Sequence, residues 1–520
     1  MPISSGKPTA SIDRRTFLKA SSLTAGAVLL GHGAIAQAPT PGSLRVPSGA
    51  PGTPIPKDFI GLSYENMQLE DDTFFSPRNK SLIEQFRAIS SHGVLRLGGN
   101  TSEFGWWKAQ PSQAPPDRHI VLKNGDRPMA TLFAITPQAI QELDGFLKAT
   151  GWTCIYGLNL GYGTPQIDVP EAQYVFNTLG TRLLYFQVGN EVDNFTNYHL
   201  RDADTWNVNT YLQQWLVIAR AVQKAIPNAR FGMPDVASKV DWLTGIADQW
   251  GALSDRPHVI TLSHHHYWSG PPSNPNATIE RLLQPDPVVV RQAEISRQAA
   301  AKMGTTYRMT EGNTIYRGGK SGLSDVFASA LWAADYLLEL MHFGYSGVNL
   351  HGGSGHAQAV SVGGTFVGEA MMKNPNEPHP KPFYTPIANQ GTLAGSGVDG
   401  KLNGIYLLEP VGYGMKFVSD FAGLTMLPVE FNPGSVNAVA YAARRPDGKV
   451  LVAILNKDEE QDLSLPMPPY EVQQLLTASS LQAKEAHILS GSKAVAAIGS
   501  SPGMLKLPKS TGLILALRAS

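Results

Sequence analysis

A (β/α)8 TIM barrel followed by a C-terminal antiparallel β-sandwich is the fold this sequence predicts, and three observations predict it. Between about Lys57 and Gln390, short apolar, β-branched or aromatic runs alternate with longer amphipathic stretches, as in βα units that close a parallel sheet. Beyond about Leu424 the runs become short and closely spaced, with turn formers such as Pro446-Asp447-Gly448 between them. The chain has 520 residues, of which 42% are hydrophobic and 16% charged, enough for one large core and a smaller second one.

In chain order, residues 1–36 are expected to stand outside the fold. Ser11-Ile-Asp-Arg14-Arg15-Thr-Phe17-Leu18-Lys19 carries the paired arginines of a twin-arginine export signal, ahead of an Ala/Ser/Gly-rich stretch ending at Ala34-Ile-Ala36. That stretch is too short to span a bilayer. The expectation is handling by the Tat export machinery, cleavage after Ala36, and a periplasmic or secreted bacterial protein with no stable membrane insertion. Residues 37–56 read as a linker or as a strand that joins the sandwich.

The barrel is expected over 57–423. Its strand candidates are Phe59–Glu65, Val94–Gly98, Thr153–Leu160, Tyr185–Glu191, Arg230–Pro234, Val259–Tyr267, Thr306–Glu311 and Gly347–His351. Helical patterns lie between them at Asn79–Ser91, Pro137–Thr150, Asp204–Ala225 and Leu323–His342. The sandwich, 424–520, shows runs at Val429–Asn432, Val436–Arg444, Val450–Asn456, Gln461–Leu465, Tyr470–Leu476 and Gly512–Leu517.

Charge excludes some partners. Lys plus Arg equals Asp plus Glu at 42 each, so no global field gathers nucleic acid, anionic membrane or a highly sulfated polymer. Cys154 is the single cysteine, sits in an apolar run, and reads as a buried small hydrophobe; no intrachain disulfide is possible. The glycine-rich run His351-Gly-Gly-Ser-Gly-His356 lacks the Lys-Ser/Thr of a phosphate loop, and no cofactor is expected.

Two carboxylates carry the chemistry. Glu191 ends Tyr185-Phe-Gln-Val-Gly-Asn-Glu191, the fourth strand, and Glu311 ends Tyr307-Arg-Met-Thr-Glu311, the seventh. In such barrels the chemistry collects at the C-terminal ends of strands, so both fall on the active face. An acetal between sugars resists water until one carboxyl protonates the leaving oxygen and another attacks or supports the anomeric carbon. Asn190 is placed to bond a sugar hydroxyl, and Arg96 on the second strand to hold a carboxylate ionised. In Leu262-Ser-His264-His265-His266-Tyr267, alternation puts His264 and His266 on one side, His265 and Tyr267 on the other. Two histidines do not close a zinc site, so hydrogen bonding is the default, with Tyr267 steadying the glutamate on strand seven. Trp106, Trp107 and Trp268 are candidates for stacking on sugar faces.

Asn190-Glu191, His-His-Tyr267 and Glu311 resemble the retaining glycoside hydrolases of clan A. With Gly61-Leu-Ser-Tyr-Glu65-Asn66, Leu95-Arg-Leu-Gly-Gly-Asn100 and Thr310-Glu-Gly-Asn-Thr-Ile-Tyr316-Arg-Gly-Gly-Lys320, the chain from about Gly42 resembles glycoside hydrolase family 79, especially its bacterial, heparanase-related exo-β-glucuronidases. The resemblance implies Glu191 as acid/base and Glu311 as nucleophile, and Tyr316 and Lys320 as groups that grip the uronic acid carboxylate. Glu65, Asn190 and Tyr267 fall where the family lines its sugar pocket. The family's tyrosine from the loop after strand eight does not align.

These readings imply a retaining exo-β-D-glucuronidase acting on a β-glucuronide or other uronic-acid-containing saccharide. The alternatives are an endo-acting, heparanase-like enzyme on glycosaminoglycans, which the charge balance disfavours, a metal-dependent barrel hydrolase using His264 and His266, and a non-catalytic carbohydrate-binding protein.

Overall fold

The computed structural model describes residues 42–116, 133–353, 382–389, 404–501 and 503–518. The expected export signal and the loop from Ser354 onward lie outside the described residues.

Eight parallel strands form a closed barrel: β1 (Ile60–Glu65), β2 (Val94–Gly98), β3 (Thr153–Leu158), β4 (Leu183–Val188), β5 (Phe231–Val236), β6 (Val259–Ser269), β7 (Thr306–Ile315) and β8 (Val348–His351). Each pairs with the next, and β8 returns to β1 through Val348 opposite Ile60. Helices α1 (Lys80–Ile89), α2 (Pro137–Thr150), α3 (Pro165–Leu179), α4 (Val208–Ala225), α5 (Asp241–Trp250), α6 (Pro287–Met303) and α7 (Phe327–His342) alternate with the strands, and α8 (Pro410–Val418) follows.

Local chemistry starts and stops these helices. Asn79, Thr136 and Asp286 accept backbone N–H bonds at the starts of α1, α2 and α6, and Asn207 with Thr210 forms a reciprocal capping box on α4. Gly151 and Gly304 end α2 and α6 in the left-handed conformation that favours glycine.

Of the strand ends that differ from expectation, four shape the C-terminal face. Strand β4 stops at Val188, because Gly189 and Glu191 take positive φ values of 86° and 44° and turn the chain out of the sheet. Strand β5 runs past Pro234 to Val236, which puts Asp235 at its tip. Strands β6 and β7 extend together to Ser269 and Ile315, with a register shift that pairs His264 with Met309 but His265 with Glu311.

The C-terminal region contains β9 (Thr425–Leu427), β10 (Ala438–Arg444), β11 (Val450–Asn456), β12 (Tyr470–Thr477), β13 (His487–Ser490) and β14 (Thr511–Leu517). With Thr53–Pro54 on one edge, they form a seven-stranded antiparallel sheet in the order Thr53–Pro54, β9, β10, β11, β14, β12, β13. A three-stranded sheet of Leu463–Pro466, Met504–Leu507 and Gly499–Ser501 makes the second layer. Ser43–Arg45 pairs with Glu430–Asn432. The segment before the barrel therefore supplies strands to this region rather than a bare linker.

The larger sheet is buried on both faces. Val452, Ile454, Leu513 and Leu515 pack with Leu463, Leu465, Leu505 and Leu507 of the smaller sheet, whereas Leu451, Ala453, Leu455 and Ile514 join the barrel's own apolar cluster. That double burial explains why Val450–Asn456 reads as a continuous apolar run without alternation. Polar bonds fix the same junction. The first N–H groups of α7, from Phe327 and Ala328, donate to the carbonyls of Ala483 and Leu481 at 2.7 and 2.9 Å, and Asp335 accepts from Lys457 at 2.5 Å and Tyr441 at 2.6 Å. The described residues accordingly form one compact unit.

Candidate active site

Arg96, on β2 and fully buried, organises the C-terminal face of the barrel. Its Nη1 donates to Glu311 Oε2 at 2.7 Å and to Ser63 Oγ at 2.8 Å; its Nε donates to Gln187 at 3.0 Å. Nη2 donates to Asn190 Oδ1 at 2.6 Å and to Asp235, making a buried ion pair with the tip of β5. One guanidinium thus ties together groups from β1, β2, β4, β5 and β7.

The two glutamates meet over this base in unlike surroundings. Glu311 accepts from Tyr267 at 2.8 Å on its other oxygen, with His351 of β8 3.6 Å away. Burial alone would raise its pKa, but His351, His265, Arg96 and the Tyr267 hydroxyl together hold it well below the usual carboxylate range. Glu191 accepts from the hydroxyl of Tyr198 at 2.6 Å and from Asn194 at 3.2 Å, and lies 3.2 Å from His265 Nδ1. One carboxylate oxygen of Glu191, one ring nitrogen of His265 and one carboxylate oxygen of Glu311 lie within 4.8 Å of one another. A cavity of about 450 Å³ opens above them, lined by Glu65, Asn100, Glu191, Asn194, Asn197, Tyr198, Ala237, Ser238, Tyr267, Glu311, Tyr316, Arg317 and His351.

Of the residues expected from sequence, Glu65, Glu191, Tyr267, Glu311 and Tyr316 line this cavity. Asn190 does not; it is buried, with its amide committed to Arg96 and to Asn100 at 2.9 Å. Lys320 also turns away. Its ammonium donates to the carbonyls of Ala277 at 2.8 Å and Asn274 at 3.2 Å, bracing that loop from beneath. Arg317, exposed and at φ 60°, places a guanidinium on the cavity wall. Trp106 and Trp107 are buried in the strand pair Gly105–Trp107 with Phe133–Ile135, and Trp268 lines a separate small cavity beside Trp332.

Alternation on β6 places His265 and Tyr267 at the site. His264 lies 2.8 Å from the Tyr345 hydroxyl, and His266 pairs with Asp286 at 2.9 Å and stacks on Tyr336. Those two histidines therefore face different partners and share no ligand sphere. Among the described residues, Glu191, His265 and Glu311 are the one group of this kind close enough to hold a metal ion, and Glu311 already bonds Arg96 and Tyr267.

Sequence reasoning missed several members of the site. Asp235 was legible by the rule that found Glu191, a carboxylate at a barrel strand tip, had β5 been carried past Pro234. Glu103 carried no such signal. It is buried in a short 3-10 turn after β2 and accepts the backbone N–H groups of Asn190, Leu160 and Gly161 at 2.7, 2.8 and 2.5 Å. Burial lifts its pKa to about 7 against those three donors and the charge of Arg201. Tyr198 likewise reaches the site only through tertiary folding, whereas His351 stands at the tip of the eighth strand, where the same rule places it.

No protein-family profile matches the chain. A β-glucuronidase of Aspergillus niger is 24% identical over 298 residues, which cover 53% of this chain and 54% of that protein. A β-glucuronidase of Neurospora crassa is 25% identical over 352 residues, 61% of each. The chain thus spans between half and two thirds of the length of the curated relatives it matches. The crystal structure of a 4-O-α-L-rhamnosyl-β-D-glucuronidase from Fusarium oxysporum covers 92% of this chain and 100% of its own, with a TM-score of 0.62 and 16% identity. At that identity the structural likeness carries the fold and leaves the sugar open.

Proposed function

We propose that this protein is a retaining, exo-acting β-D-glucuronidase, with Glu311 as nucleophile and Glu191 as acid/base. The observation that carries the reading is the pair of carboxylates in one cavity, with oxygens within 4.8 Å of each other. Retaining enzymes hold their two carboxyls about 5–5.5 Å apart, whereas inverting ones leave about 6.5–9.5 Å for a water between them.

The surroundings divide the roles. Glu311, held ionised, attacks the anomeric carbon, while Glu191 gives its proton to the departing glycosidic oxygen. Glu191 then takes a proton from water, whose oxygen displaces Glu311 from the glycosyl ester, and each carboxyl returns to its starting state. The two relatives support the sugar class by name, since both are β-glucuronidases. Tyr316 and Arg317 on the cavity wall offer a hydroxyl and a guanidinium to a uronate carboxylate, the role sequence reasoning gave to Tyr316 and Lys320.

A panel of aryl β-D-glucuronide, glucoside, galactoside and xyloside, with NMR of the first-formed anomer, tests the proposal. Glucuronide cleavage with the β-anomer released first supports it; an α-anomer, or preference for a neutral sugar, rejects it. Activity that falls on chelation would instead favour a metal-dependent barrel hydrolase.

A further inference from the structure

Asp235 touches a support of each glutamate, Arg96 beside Glu311 and His265 beside Glu191. It is fully buried at the tip of β5, at φ 62°, and its oxygens accept from Arg96 and from the Thr310 hydroxyl and lie 3.1 Å from His265 Nε2. Its backbone N–H donates to Ser263 Oγ at 3.2 Å. Arg96 continues to Glu311, and the other ring nitrogen of His265 continues to Glu191.

We propose that Asp235 is a positioning residue that serves both carboxylates at once: it fixes Arg96 against Glu311 and holds His265 as an imidazolium against Glu191. The proposal rests on the glycosidase reading for what the site does, but not for the charge of the ring. The geometry argues it. A neutral imidazole has one N–H, yet carboxylate oxygens flank both nitrogens of His265, at 3.1 and 3.2 Å. Two N–H donors satisfy both contacts.

The groups facing His265 are Asp235 from β5, Glu191 beyond β4, Glu311 from β7, and Arg96 from β2 at 3.5 Å. Its chain neighbours add little positive charge, since burial pulls His264 down to about 3 and His266 is paired with Asp286. Burial disfavours a charged His265, but Asp235 and Glu311 outweigh it and push its pKa up to about 10.

The consequence reaches the acid/base. A doubly protonated ring keeps a fixed N–H donor and a positive charge against the Glu191 carboxyl, 3.2 Å from His265 Nδ1. In Asp235→Asn the ring loses its anion and becomes neutral in the working range, and that fixed charge beside Glu191 is lost.

The test pairs histidine 15N NMR of the wild type, with His265→Gln used to assign the ring, with pH profiles of kcat/KM for Asp235→Asn on an aryl β-glucuronide. The expected result is that both His265 nitrogens stay protonated through pH 8 in the wild type, and that the alkaline limb of the Asp235→Asn profile shifts by about one pH unit or more. A wild-type ring that is neutral at pH 7 overturns the proposal, and so does a lower rate with both limbs unmoved. If Asp235→Asn does not fold, the wild-type titration alone decides. If the wild type cleaves no glycoside, the functional reading fails while the NMR still reads the ring.

Discussion

At the scale of single residues, the site makes two pairs of substitutions informative. Glu311→Gln removes the nucleophile and is expected to abolish turnover on every substrate, whereas Glu191→Ala spares activated aryl glycosides, whose leaving group needs no proton. Equal losses across leaving groups would count against that division. For the carboxylate, Arg317→Ala should lower kcat/KM on an aryl glucuronide about tenfold or more, the scale of one charge-assisted contact, and leave the matched glucoside nearly unchanged. Lys320→Ala should lower the melting temperature without changing that preference, because its ammonium bonds two carbonyls away from the cavity. The two glutamates were legible in the sequence because a strand-tip position and a chemical type coincide. Lys320 was misplaced because sequence gives a residue's distance along a loop and not the direction of a long side chain. Arg317, three residues earlier, occupies the wall instead.

At the scale of elements, the turn after β2 shows how backbone shape sets the site. Gly99 sits at φ 72° and ψ 177°, a region open essentially to glycine alone, and a Cβ there would lie 2.2 Å from Glu65 Oε2. Gly99→Ala should therefore cost about 1–3 kcal/mol of stability and displace Glu65. A denaturation midpoint equal to the wild type would refute this. Alternation along β6 was legible, and it correctly sorted His265 and Tyr267 from His264 and His266. The register shift beside His265 was not, because pairing is decided by the partner strand and leaves no local mark. The same limit explains the ends of β4 and β5. Positive φ at Glu191 and Asp235 is imposed by tertiary bonds on residues whose own preferences lie elsewhere.

At the scale of the whole molecule, buried acids give the fold opposed pH dependences. Glu311 and Asp235 have depressed pKa values, so their stabilisation is complete above the ordinary carboxylate range and is lost as pH falls through their folded values. Glu339, partly buried on α7 near Asp335, is raised from an ordinary 4.5 to about 8 by burial and that neighbour's charge. Its contribution is present below pH 4.5 and is lost as pH rises through about 8. The melting temperature should fall between pH 5 and 8, and Glu339→Gln should flatten that fall; Glu103, raised to about 7, leaves a residual slope in the lower part of the window. An unchanged slope in Glu339→Gln would remove Glu339 as a cause. Both regions of the fold were legible from the change in periodicity near Leu424. Their union was not, because the apolar face that joins them belongs to strands whose two sides are equally hydrophobic.

The chain enters and leaves the barrel at one place: Ile55 N–H donates to Leu424 O at 2.8 Å, and Gly423 N–H donates to Ile55 O at 3.1 Å. Topologically the barrel is an insertion within the sandwich, with Thr53–Pro54 left behind on the sheet that β9 to β14 complete. A recombination event with a single crossover near Leu424 would separate those first strands from their partners. Chimeras that exchange this barrel for another would need two junctions, at about residues 55 and 424, so the two regions are expected to be inherited together.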